Sequence, residues 1–128
     1  MTDVYDWYQQ GLALLAAGDS HAAATVLERA VDAEPDKGSL RECLGRAYYG
    51  SRRFGAALEQ FTRALDIEPA NDYAHFGAGL SLGKLGRLDR AVGHLKLAAV
   101  MRPQNDDYSS ALRRFESIVG RSSGGPTA

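Results

Sequence analysis

Apolar residues in this chain recur at three- and four-residue spacings, in stretches the length of single helices. Val26, Leu27, Ala30 and Val31 form one such set and Leu58, Phe61, Ala64 and Leu65 another. Each set makes a stripe down one side of a helix. Breakers punctuate the stripes. Gly18-Asp19-Ser20 and Gly86 supply turns, while Pro35, Pro69 and Pro103 each force the preceding residue out of helical geometry. The pattern predicts helical hairpins, with a turn inside each and a proline after it.

The hairpins repeat. Sliding the sequence by 34 residues aligns Gly11 with Gly45 and Gly79, Ala23 with Ala57 and Ala91, Ala30 with Ala64 and Ala98, and Pro35 with Pro69 and Pro103. Two further columns keep size: Leu27, Phe61 and Leu95, and Leu14, Tyr48 and Leu82. Small residues in the glycine and alanine columns let helix backbones approach closely, because a larger side chain would hold the axes apart. On that ground Gly45→Leu is expected to be strongly destabilising.

These columns resemble the tetratricopeptide-repeat (TPR) family, whose 34-residue unit carries W-x-x-L-G-x-x-Y, then A-x-x-x-F, then A and P. Unit one, residues 4–37, has Trp7, Gln10, Gly11, Leu14, Ala23, Leu27, Ala30 and Pro35, departing mainly at Gln10. Unit two, residues 38–71, has Arg41, Leu44, Gly45, Tyr48, Ala57, Phe61, Ala64 and Pro69. Unit three, residues 72–105, has His75, Ala78, Gly79, Leu82, Ala91, Leu95, Ala98 and Pro103. The expected architecture is all-α: one domain over residues 1–120, an α-solenoid of three helical hairpins.

Tyr108, Leu112, Phe115, Ile118 and Val119 predict a further amphipathic helix, residues 106–119, with Arg113, Arg114 and Glu116 outside. A stack of repeats leaves an apolar end, so this helix is expected to cap it. Residues 121–128, rich in Ser and Gly, are expected to be disordered.

Within each first helix, unit positions 4, 7, 8 and 11 cluster on one side and are expected to pack on the second helix, leaving positions 2, 5, 6, 9 and 13 facing away. Resemblance to the family implies that this outward side is the concave groove that receives a partner. Unit one places Tyr5, Tyr8 and Leu12 there with Leu15 at the edge; unit three places Tyr73, Phe76 and Leu80. Unit two contributes Ser39, Glu42, Arg46 and, at the flank, Tyr49. Tyrosine suits such a surface, having a rigid contact area and a hydrogen-bonding tip. The alternative is that Tyr5 and Tyr8 cover the end of the stack, or that a short superhelix buries these rings.

TPR co-chaperones grip acidic C-termini of heat-shock chaperones with a cationic clamp of Lys and Asn in unit one, Asn in unit two, and Lys and Arg in unit three. The equivalents here are Tyr8, Leu12, Cys43, Tyr73 and Gly77, and none offers a charge-assisted hydrogen bond to a carboxylate.

Charge narrows the partner. The 15 basic and 16 acidic groups nearly cancel, so no bulk field favours nucleic acid or an anionic membrane, and the interspersed arginines read as solvated surface. The balance is graded, however. Residues 1–37 hold two basic and seven acidic groups, net −5, whereas residues 72–105 hold five and two, net +3. Opposed ends invite head-to-tail contact between copies; solvated helix faces are the plainer reading.

Other chemistry finds little support. Gly77-Ala-Gly79-Leu-Ser-Leu-Gly83 has the wrong spacing for a dinucleotide loop and follows no strand, so it reads as small-residue helix packing. His21, His75 and His94 fall at different unit positions without a second ligand at helical spacing, as surface or boundary histidines would. Cys43, the single cysteine, precedes core residue Leu44 and reads as a semi-buried filler. With no acid pair, catalytic triad or phosphate loop, no enzyme activity and no cofactor are expected. Asp3, Asp6 and Asp19 without any basic group in the first twenty residues do not suit a targeting segment, and no apolar run is long enough for a membrane helix. A cytoplasmic interaction scaffold binding a protein or peptide segment is therefore expected, the alternatives being a self-assembling structural protein or a regulatory or targeting subunit of an enzyme or secretion system.

Overall fold

The computed structural model of the chain describes residues 3–123. Seven helices follow one another: α1 (Val4–Ala16), α2 (Ser20–Ala33), α3 (Gly38–Gly50), α4 (Phe54–Ile67), α5 (Asp72–Lys84), α6 (Leu88–Met101) and α7 (Asp106–Ser123). They pair as hairpins α1–α2, α3–α4 and α5–α6, each stacked on the next, with α7 against α6. This is a three-hairpin α-solenoid with a terminal helix. That helix outruns the 106–119 expected for it and takes residues 121–123 from the expected tail; the remainder of the tail lies outside the described residues.

Local chemistry sets the helix ends. Asp3 accepts from the Asp6 amide at 2.9 Å while Asp6 reaches back to the Asp3 amide, a capping box at the start of α1. Asp19, Asn71 and Asn105 accept from the amides of Ala22, Ala74 and Tyr108. The residues before the three prolines, Glu34, Glu68 and Arg102, leave helical geometry at φ −136°, −137° and −134°. Each hairpin turn needs a left-handed residue: Gly18 (φ 81°), Gly86 (φ 79°) and, in the middle repeat, Arg52 (φ 64°).

The glycine column meets the large-residue column inside each repeat. A Cβ on Gly11 would lie 2.5 Å from Leu27, one on Gly45 2.9 Å from Phe61, and one on Gly79 2.8 Å from Leu95. Hydrogen in place of a side chain is what lets the paired helices close, and the alanine column, fully buried in all three repeats, completes that contact.

The expected division of each first helix into packed and free sides needs correction at position 6. Cys43 and Gly77 are buried, because the first helices also pack on one another, α1 on α3 and α3 on α5. Leu40, Ala47, Ala74 and Ser81 are likewise buried, where α3 and α5 lie against the preceding repeat's second helix. Gln10, the departure from the repeat pattern, is exposed, whereas Leu44 and Ala78 in the same column are buried. Since neighbouring first helices touch and second helices stay apart, the stack curves with α1, α3 and α5 on its inner side.

Candidate functional site

The inner side carries a row of rings. Phe61 reaches through from α4 to Tyr73 (centroids 6.4 Å apart), Tyr73 meets Phe76 edge-on at 5.9 Å, and Phe76 meets Tyr108 of α7 at 4.8 Å. The Arg46 guanidinium lies over Tyr73, 5.5 Å from its centroid. Tyr108 donates a hydrogen bond to Asp72 at 2.7 Å, and Arg102 pairs with the same carboxylate oxygen at 3.6 Å. One end of the row is thereby tied to the cap.

The expected groove residues divide between two hollows and the strip joining them. Leu15, Arg46, Tyr49, Tyr73 and Leu80 surround a pocket of about 200 Å³, floored by Phe61 and Gly77. Tyr5 and Tyr8 line a second hollow of about 390 Å³ with Val4, Leu40, Glu34 and Lys37. Phe76 stands beside Tyr73 outside the central pocket, and Leu12 packs half-buried on the core. Glu42 is half-buried among Asn71, Arg46 and Asp72. Tyr5 is largely exposed, at 67%, and Ser39 is exposed as well, whereas Tyr8, Leu12, Leu15, Glu42, Arg46, Tyr49, Tyr73, Phe76 and Leu80 are each partly buried.

Partial burial shapes the titration of the groove side chains. Burial raises the phenol pKa of Tyr8 and of Tyr73, and it raises the Glu42 carboxyl against the opposing influence of an Asn71 hydrogen bond and Arg46. Burial also pushes the Cys43 thiol up to about 11, which makes it a filler beneath Tyr8 and a poor thiolate.

Two elements of the site were missed in the sequence. Tyr108 is buried and extends the aromatic row; its signal was Asn105, which repeats Asn71 at 34 residues and caps the next helix in the same way. The histidines also need correction, since His75 and His94 are not separate boundary residues. Their Nδ1 atoms are 3.0 Å apart, and His75 Nε2 lies 3.0 Å from the Pro69 carbonyl. A carbonyl only accepts, so His75 donates through Nε2 and its Nδ1 accepts from His94 Nδ1–H. Repeat two fills the same register with Arg41, which donates to the Pro35 carbonyl at 2.9 Å and to Gln60 at 3.0 Å. The pair is a structural strut, and no group of three or more metal-ligating side chains occurs among the described residues. Nor is any helix among them long and apolar enough to cross a membrane.

The tetratricopeptide-repeat family model matches residues 8–49 and 43–106. The chain belongs to the tetratricopeptide-repeat family. Superkiller complex protein 3 of Mus musculus is 31% identical over 107 residues, 84% of this chain but 7% of that protein. Cellulose synthase 2 operon protein C of Komagataeibacter xylinus is 31% identical over 120 residues, 89% of this chain and 9% of that one. The chain thus spans less than a tenth of either relative. Among solved structures, the Sgt2 TPR domain from Aspergillus fumigatus superposes with a TM-score of 0.90 at 17% identity, covering 100% of this chain and 87% of that one. The first TPR of Spaghetti (RPAP3), bound to the HSP90 peptide SRMEEVD, superposes at 0.87 with 18% identity, covering 91% and 93%. At those identities the likeness is one of fold.

Proposed function

We propose that this TPR domain is a protein-interaction module whose concave groove binds an extended or amphipathic segment of a partner. One observation carries the reading: apolar and aromatic side chains from α1, α3 and α5 stay half-open around the pocket between Leu15, Tyr49, Tyr73 and Leu80. Monomeric proteins rarely leave such a run open without a binding role. The pocket suits one apolar side chain of the segment. Arg46 at its rim, held over Tyr73 and close to Glu42, forms no ion pair among the described residues and places a cation where a carboxylate beside that anchor would meet it.

The RPAP3 domain of the same fold holds the HSP90 peptide SRMEEVD, three of whose last four residues are acidic. Here the positions equivalent to the family's carboxylate clamp are Tyr8, Leu12, Cys43, Tyr73 and Gly77, so binding rests on apolar anchoring instead of capture of a chain terminus. Affinity capture with the Tyr8→Ala plus Phe76→Ala double variant tests the reading. Partner recovery should fall at least about tenfold, and recovery equal to wild type would refute it.

Self-association is the second reading, favoured by the opposed charges of residues 1–37 and 72–105. It predicts assembly at low salt that dissolves as salt is added. Light scattering that finds a monomer at high concentration in low salt removes it.

A further inference from the structure

The outer faces of the second helices carry a contrast in register. Arg29, Arg63 and Leu97 are equivalent at 34-residue spacing, and so are Asp32, Asp66 and Val100. Repeats one and two therefore expose charge where repeat three exposes Leu97 (46%) and Val100 (77%), with Met101 (36%) beside them. Positions 97, 100 and 101 share one side of α6, and folding does not require the first two to be apolar. Neither core cluster includes them, and the other two repeats pack with an arginine and an aspartate in place of Leu97 and Val100, whereas Met101 is equivalent to Ala33 and Ile67.

The surroundings of this stripe are mostly basic, Asp89 in the first turn being the one carboxylate on α6. Arg90 lies two turns before Leu97 on the same side, and Lys96 flanks it; neither forms an ion pair among the described residues. Arg90 also borders an open furrow of about 510 Å³ between α4 and α6, where Arg63 and Arg87 alternate with Glu59 and Asp66. An apolar strip of little more than one turn, with unpaired cations in the turns before it, fits a helix with the opposite pattern.

We propose that the outer face of α6 is a second docking site, separate from the concave groove, for an acidic amphipathic helix of a partner protein. Its apolar side covers Leu97, Val100 and Met101, and its carboxylates meet Arg87, Arg90 and Lys96. A second copy packed face to face would set these cations against themselves. A flat anionic surface would meet Glu59 and Asp66 together with the arginines, whereas a helix places its charges selectively.

The test uses the full chain, isotopically labelled, and a synthetic helical peptide of about 18 residues with leucines on one face and glutamates on the other. Amide shifts should centre on Arg90, Leu97, Val100 and Met101, and affinity should exceed that of a lysine-for-glutamate peptide by about tenfold. Leu97→Arg plus Val100→Asp installs the residues repeat two carries and should weaken binding by about tenfold or more without changing the rest of the spectrum. Arg90→Glu plus Lys96→Glu alters exposed charge alone and should reverse the preference between the two peptides.

Four results would overturn the proposal. Failure of the glutamate peptide to bind is the first. Shifts confined to Tyr73 and Phe76 and insensitive to the Leu97 and Val100 changes are the second. The third is loss, in that variant, of binding to phosphatidylserine vesicles when the peptide itself does not bind. The fourth is light scattering in which a wild-type dimer becomes a monomer in the variant.

Discussion

The Phe61 ring fills the space beside Gly77, so closely that a Cβ at Gly77 would overlap it. The same ring meets Gly45 of its own repeat, where a Cβ would lie 2.9 Å away. One side chain from α4 thus locks its own hairpin to the next and floors the central pocket. Repeats one and three use the smaller Leu27 and Leu95 in that column.

Gly77→Ala should accordingly cost about 1–3 kcal/mol through overpacking. The penalty should shrink by more than half when Phe61→Leu is present, because the smaller side chain vacates the space. A double-mutant cycle by denaturant unfolding measures this. Gly45→Leu should lower stability by about 3 kcal/mol or prevent folding altogether.

The His75–His94 strut predicts a pH dependence. Burial, with His75 and Arg90 nearby, lowers the His94 pKa from its ordinary value near 6.5. The unfolded chain then binds more protons than the folded one between the lowered and the ordinary value, so stability falls as pH drops through that window and is flat above it. His75→Arg with His94→Gln copies the Arg41–Gln60 bridge of repeat two and should remove this dependence. Thermal melts of both proteins from pH 7.5 to pH 5 check it.

Ser81 is fully buried in α5, and its hydroxyl has no hydrogen-bond partner among the described residues. Repeat two has Ala47 at the same position. Ser81→Ala should therefore raise stability by about 1 kcal/mol, read from the urea midpoint at unchanged slope.

Much of the fold was legible because glycine, alanine and proline act locally and recur in fixed register. Gly11, Gly45 and Gly79 each sit against one partner in the same hairpin, so a column in the sequence is a contact in space. Contacts between repeats were less legible. Cys43 and Gly77 lie on the side of their helices that a single helix pattern assigns to solvent, and only the neighbouring first helix buries them. His75 and His94 meet across a hairpin, at a separation no helical spacing reveals, although Arg41 and Gln60 hold the same register. The ends of the aromatic row followed the same division. Tyr73 and Phe76 could be placed from helix periodicity, whereas Tyr108 joins them through the docking of α7.

A partner bound along the concave side should leave its footprint on α1, α3 and α5. Hydrogen exchange of the full chain, alone and saturated with a peptide selected on it from a displayed library, tests this most directly. Exchange should slow in the segments carrying Tyr8, Arg46, Tyr49, Tyr73 and Phe76, and the slowing should be lost when Tyr8→Ala and Phe76→Ala are combined. Protection confined to α2 and α4, with the first helices exchanging as in the free chain, would contradict it.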